Sequence, residues 1–132
     1  MDSKAFLERV RTFESDGYRL LMINATALAS SSSSSSPSSD DDDAVELTWS
    51  FEKSGRLEHV REQVKPDEEV PSVSAIYPFS YLYENEVREL FGVKVTGLSV
   101  DFKGQLYQTS IKVPFSPKAI RARLDAQKGK KP

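Results

Sequence analysis

Residues 45–64 read VELTWSFEKSGRLEHVREQV, and their first half is the cleanest two-residue alternation in the chain. Val45, Leu47, Trp49 and Phe51 alternate with Glu46, Thr48, Ser50 and Glu52, which predicts a strand with one dry face. Lys53-Ser54-Gly55-Arg56 is a turn sequence. Leu57–Val64 can therefore return as the second arm of a hairpin. Leu57, Val60 and Val64 alone would also suit a helix, but the closeness of Gly55 to the strand favours the hairpin.

On the N-terminal side, Phe6, Leu7, Val10 and Phe13 recur at helical spacing between residues 3 and 15 and stop at Asp16-Gly17. This predicts an amphipathic helix lying on a sheet. Tyr18–Leu28, YRLLMINATAL, is apolar on both alternations and reads as a buried strand. Residues 29–43 are a serine run broken by Pro37 and closed by four aspartates. Serine buries no apolar area to offset its ordering entropy and adjacent aspartates repel, so a disordered loop joining two strands is expected. A phosphorylated or acidic docking tract is the less favoured reading of the same residues.

Beyond the hairpin, Pro66–Pro71 encloses Asp67, Glu68 and Glu69 in an acidic loop. It leads into SAIYPFSYLYENEVRELFG, residues 74–92. Phe79, Leu82, Tyr83, Val87, Leu90 and Phe91 form one stripe of a helix of period 3.6, with Glu86 at its centre and Glu84, Asn85, Arg88 and Glu89 on the flanks and opposite face. Ser80 after Pro78 is the expected N-cap and Gly92 the expected left-handed stop. A carboxylate on such a stripe either meets a cation or backbone donors at a packing seam or reaches out to water. A catalytic acid is the least favoured use of Glu86, because no matched base or nucleophile stands near it.

Val93–Thr96 is strand-like, Leu106–Pro114 could form a second extended piece, and Ser116-Pro117 opens a helix over Lys118–Ala126. The expected architecture is α+β, a small, mainly antiparallel sheet packed with helices and followed by an extended C-terminal tail. Residues 1–115 form one domain containing the Ser/Asp loop at 29–43, and residues 116–132 a basic helix and tail. From Ile111 onward seven basic residues stand against Asp125, giving the tail +6 and the remainder −8 in a chain of net −2. Such asymmetry points first to docking on a partner. Nucleic acid is disfavoured, since no aromatic-interleaved basic surface accompanies the charge.

With no cysteine and a single histidine, the 132-residue chain has no thiolates for an iron–sulfur cluster and little for a transition metal. His59 reads as a strand residue beside a turn. No run approaches the about 18 apolar residues needed to span a bilayer, and the N-terminus MDSKAFLERV does not resemble a secretory signal. The chain is therefore expected to be soluble and not exported. No catalytic, cofactor-binding or metal-binding residue is assigned.

The order Ser-x-x-x-Pro, an aromatic residue, Glu-x-Glu, and Phe-Gly after a further four residues resembles a signature of the NADH-quinone oxidoreductase family. It belongs to that enzyme's C-type (30 kDa) subunits and is usually written E-R-E-x-x-D-x-F-G. Here it reads Glu84-Asn85-Glu86-Val87-Arg88-Glu89-Leu90-Phe91-Gly92. Asn85 stands for the usual Arg and Glu89 for the usual Asp, so ion pairs made by those two residues do not carry over. The shortness of the chain and the segments Gly104-Gln105-Leu106-Tyr107 and Ile111-Lys112-Val113-Pro114-Phe115 are similar to the D-type subunits of energy-converting (Ech-type) membrane-bound [NiFe] hydrogenases. Residues 72–115 carry the resemblance most clearly, while residues 1–64 agree only in the order of elements.

The resemblance implies a non-catalytic structural subunit in the peripheral arm of a membrane-bound energy-converting hydrogenase, on the cytoplasmic side of the membrane. Such an enzyme couples ferredoxin oxidation and H2 evolution to ion translocation. The chain itself would hold no cofactor, and nickel–iron and iron–sulfur centres would sit in partner subunits, among them the hydrogenase large and small subunits. Tyr83, Glu84, Glu86, Glu89, Phe91, Gly92, Tyr107, Pro114 and Phe115 would form signature or interface positions. The alternatives are the equivalent subunit of a complex I-like NADH-quinone oxidoreductase, an independent carboxylate enzyme using Glu84, Glu86 and Glu89, and a small adaptor.

Overall fold

The computed structural model describes residues 1–28, 43–103, 106 and 112–129. Its elements run α1 (Ser3–Ser15), β1 (Arg19–Leu28), β2 (Ala44–Lys53), β3 (Arg56–Val64), β4 (Glu69–Pro71), α2 (Ser80–Phe91), β5 (Lys94–Thr96) and α3 (Pro117–Gly129). The strands β1-β2-β3 form an antiparallel sheet in sequence order, and β4 pairs with β5 in parallel. The architecture is α+β.

The hairpin forms as its residues dictate. Lys53 pairs with Arg56 and Val45 with Val64. The turn between them places Ser54 at φ 51° and Gly55 at φ 82°, the left-handed pair that matches the twist of the flanking strands. Val45, Leu47, Trp49 and Phe51 are all buried. The α1 helix lies on this face: Phe6 meets Trp49 at a ring separation of 4.5 Å, and Phe13 stacks on Phe51 at 4.4 Å. Asp2 caps α1 by accepting a hydrogen bond from the Ala5 N–H.

Tyr77 closes the other side of Phe51 at 5.7 Å, and its hydroxyl donates to the Tyr18 carbonyl over 2.8 Å. Burying three or four aromatic rings around one strand supplies about 1.5–3 kcal/mol per side chain, so this cluster is the main source of stability.

The expectation that β1 is buried on both faces is corrected. Only Ile23 is buried, and Met22 is 42% exposed, because the outer face of β1 carries no covering layer among the described residues. Asp43 is a second correction. Its sequence neighbours place it in the loop at 29–43, yet it is 2% exposed and belongs to the packed body; the rest of that loop lies outside the described residues.

Pro66–Pro71 is more than a loop. Val70 is buried, and Glu69–Pro71 forms β4 against Lys94–Thr96. The three-residue length of β4 hides it from a pattern reading. His59 lies on β3 with its Nδ1 2.9 Å from Ser50 Oγ across the sheet, a strand position as expected.

Candidate functional site

The α2 helix starts one residue earlier than the expected cap implies and turns differently from its apolar pattern. Residues 74–79 are turns, with the Ile76 and Tyr77 N–H groups both donating to the Val73 carbonyl, and the helix proper begins at Ser80. Ser80 is not the N-cap. That position falls to Phe79, which makes no side-chain cap bond, while the Ser80 hydroxyl donates to Glu84 Oε1 over 3.0 Å.

The buried residues are Ser80, Glu84, Asn85 and Val87, whereas Phe79 and Leu82 of the expected apolar stripe are 80% and 44% exposed. The helix is thus rotated so that Glu84, not Glu86, is the buried carboxylate. Glu86 is half-buried. Ser80, Glu84, Val87 and Phe91 stand at i, i+4, i+7 and i+11, a second period of 3.6 concealed because two of its members are polar.

Each buried polar group has defined partners. Glu84 accepts hydrogen bonds from the Ser72 hydroxyl at 2.7 Å, the Val73 N–H at 2.8 Å and the Ser80 hydroxyl at 3.0 Å. Ser72 Oγ lies 2.8 Å from Ser74 Oγ, and Ser74 Oγ accepts the Ser99 N–H at 3.3 Å. The carboxylate therefore ties the approach to α2 to its first turn and, through two serines, to the loop after β5.

Asn85 is fully buried. Its Nδ2 donates to the carbonyls of Tyr81 at 2.7 Å and Val100 at 2.8 Å, and its Oδ1 accepts the Phe102 N–H at 3.1 Å. One amide thereby clamps residues 100–102. An outward ion pair between Arg88 and Asp101 reinforces the same loop.

Farther along the helix, Glu89 Oε2 accepts the Leu106 N–H at 2.7 Å, and the Leu90 carbonyl accepts the Phe115 N–H at 2.6 Å. Phe91 meets Phe115 at 5.5 Å between ring centroids. Gly92 ends the helix at φ 77°, where a Cβ would stand 3.4 Å from Val113 Cγ1. Left-handed geometry and this close approach act together, so Gly92→Ala should cost roughly 1–2 kcal/mol; urea unfolding measures it. Ser116 caps α3 as expected, its hydroxyl oxygen accepting the Ala119 N–H at 3.2 Å.

Of the signature positions, Glu84, Glu89, Phe91, Gly92, Pro114 and Phe115 are thus gathered along one helix and the chain that returns to it. Pro114 lies on that returning chain, and its carbonyl accepts from Arg123 of α3. Tyr83 packs against the core from a half-buried position, and Tyr107 lies outside the described residues. So does most of the extended piece at 106–114, whose described end forms a turn at Val113–Phe115 rather than a strand. Sequence reasoning missed Asn85 as a clamp and Ser72 and Ser80 as carboxylate partners. The Ser80–Glu84 spacing of four was the available signal.

Burial drives the Glu84 pKa above its ordinary value of 4.5, against the pull of its three donors. Folded Glu84 therefore holds its proton more tightly than unfolded Glu84. The stability it contributes when protonated is complete below pH 4.5 and is lost as pH rises through the raised value. Accordingly, the stability deficit of Glu84→Gln relative to the parent should widen on acidification from neutral pH; denaturant titrations at a series of pH values measure it. The Tyr77 hydroxyl, desolvated at its bond to Tyr18, is pushed up to about 12.

Among the described residues, no group of three or more histidine, cysteine or acidic side chains is placed to hold a metal ion, and no helix is long and apolar enough to cross a membrane.

The fold and this helix define a small α+β building block in which a polar helix face fastens the succeeding chain to the body. Residues 2–115 match the family described as Respiratory-chain NADH dehydrogenase, 30 Kd subunit, and the chain belongs to that family. It is thus a subunit of a complex I-like oxidoreductase. No curated protein matches it in a comparison of sequences.

Proposed function

We propose that the chain is a non-catalytic scaffold subunit of the peripheral arm of such a complex, contributing shape and contact area beside subunits that hold the redox centres. The internal use of Glu84 and Asn85 supports this reading most. The two most buried polar groups of the signature bond to this chain's own backbone and serines, which is the work of a framework and not of a reaction site. Exposed Phe79, Leu82 and Phe115 then offer apolar surface to neighbours.

The resemblance of residues 104–107 and 111–115 supports a finer assignment, the D-type subunit of an energy-converting [NiFe] hydrogenase whose large and small subunits carry nickel–iron and iron–sulfur centres. Affinity purification of the tagged chain from native membranes in mild detergent, with metal analysis of the eluate, tests both levels. Co-purifying redox subunits with nickel in the eluate are expected. Redox subunits without nickel would assign the chain to the quinone-linked branch. A chain eluting alone would remove the scaffold reading.

A further inference from the structure

Where the Phe91-Gly92 turn meets the start of α3, the body opens into a groove of about 490 Å³. Its walls are Val45, Val64, Phe91, Val93 and Val113, so it reaches the end of the sheet's hydrophobic core. Four charged residues line it: Asp43, Lys65, Asp67 and Lys118. They are not equivalent. Asp43 is buried in the body at 2% exposure, and the highly exposed Asp67 carboxylate is paired with the Lys94 ammonium at 3.6 Å. The neighbouring Glu68 carboxylate is engaged by the Met1 ammonium at 2.8 Å. Lys65 and Lys118 make no ion pair among the described residues and are exposed. The amino-terminal end of α3 adds positive potential of the same sign beside Lys118. An apolar trough is thus rimmed by exposed positive charge.

We infer that this groove receives an extended segment of a neighbouring subunit that presents a bulky apolar side chain beside a carboxylate. The apolar walls take the side chain out of water, and Lys65 and Lys118 meet the carboxylate at the rim. The groove is also continuous with the Phe91–Phe115 contact and with the chain following Gly92. A peptide occupant suits a groove lined by four separate stretches of the chain, with apolar and charged residues side by side. The inference rests on the scaffold reading and specifies where on the chain one neighbour docks.

Zero-length carbodiimide cross-linking of the intact complex tests it, because that reagent joins an amine only to a carboxylate in contact with it. Lys65 or Lys118 should link to an Asp or Glu of another subunit lying within a few residues of a bulky apolar side chain. In parallel, Lys65→Glu combined with Lys118→Glu should lower recovery of the complex at least tenfold, whereas Lys4→Glu, the same charge change on exposed α1, should leave it unchanged. Links confined to this chain or to a second copy of it would overturn the inference, as would recovery of the double variant within twofold of the parent. If the unaltered chain brings down no redox subunit at all, the scaffold reading itself fails, an outcome distinct from those two.

Discussion

Glu84→Ala should lower the unfolding free energy by about 2–3 kcal/mol, although it deletes a group whose charge is costly to bury. The loss comes mainly from the Val73 N–H, which is buried in its bond to the carboxylate and would be left without that acceptor. The Ser72 and Ser80 hydroxyls lose the same acceptor, though as rotors they can turn elsewhere. Relief of the desolvated charge returns part of the cost, so the figure lies below that for deleting a paired ion. A fall in melting temperature of roughly 10–20 °C follows, at about 4–8 °C per kcal/mol for small domains. Thermal unfolding by circular dichroism measures it.

Asn85→Asp should be at least as damaging, at about 3 kcal/mol or more. Its Nδ2 donates to two carbonyl oxygens, and a carboxylate there would point negative charge at both from a fully buried position. Asn85→Ala should cost about 2 kcal/mol, leaving the Val100 carbonyl and the Phe102 N–H without their partner. Both variants should also lose hydrogen-exchange protection at the Phe102 amide before any global change, because the clamp acts on that loop first. Substitution by Arg, the residue usual in the signature, should likewise destabilise this chain, since the site is filled by an amide with all its bonds made.

The order and type of most elements were legible because the periodicities were strong. The alternation from Val45 to Phe51, the left-handed pair at Ser54-Gly55 and the helical spacing of Phe6, Val10 and Phe13 each have one physical solution. Misreadings arose where a partner outside the local pattern decided the outcome. The β1 strand reads as buried on both faces, yet among the described residues a layer covers only the face that carries Ile23, and which face is covered is a property of the whole fold. The α2 helix reads as an apolar stripe through Phe79 and Leu82, yet it turns its polar side inward because Ser72, Val73, Val100 and Phe102 supply hydrogen bonds there.

Those partners lie 11 to 17 residues away in sequence, beyond any local pattern. The candidate site is therefore legible as a segment and not residue by residue: Glu84 and not Glu86 is the buried acid. Its partners before the helix, the Ser72 hydroxyl and the Val73 N–H, carry no local pattern that marks them as such. The short strands β4 and β5 escaped as a pair because three residues carry too little alternation to identify a partner.

If the signature acid is structural, its removal should act on the amount of complex and not on the chemistry of each complex. Turnover per assembled complex should therefore be measured with Glu84→Gln in place of the parent chain, normalised to the redox subunits recovered. The scaffold account predicts a reduced yield of complex whose members each turn over at the parental rate. Full assembly with turnover lost would contradict it and make Glu84 a participant in the reaction.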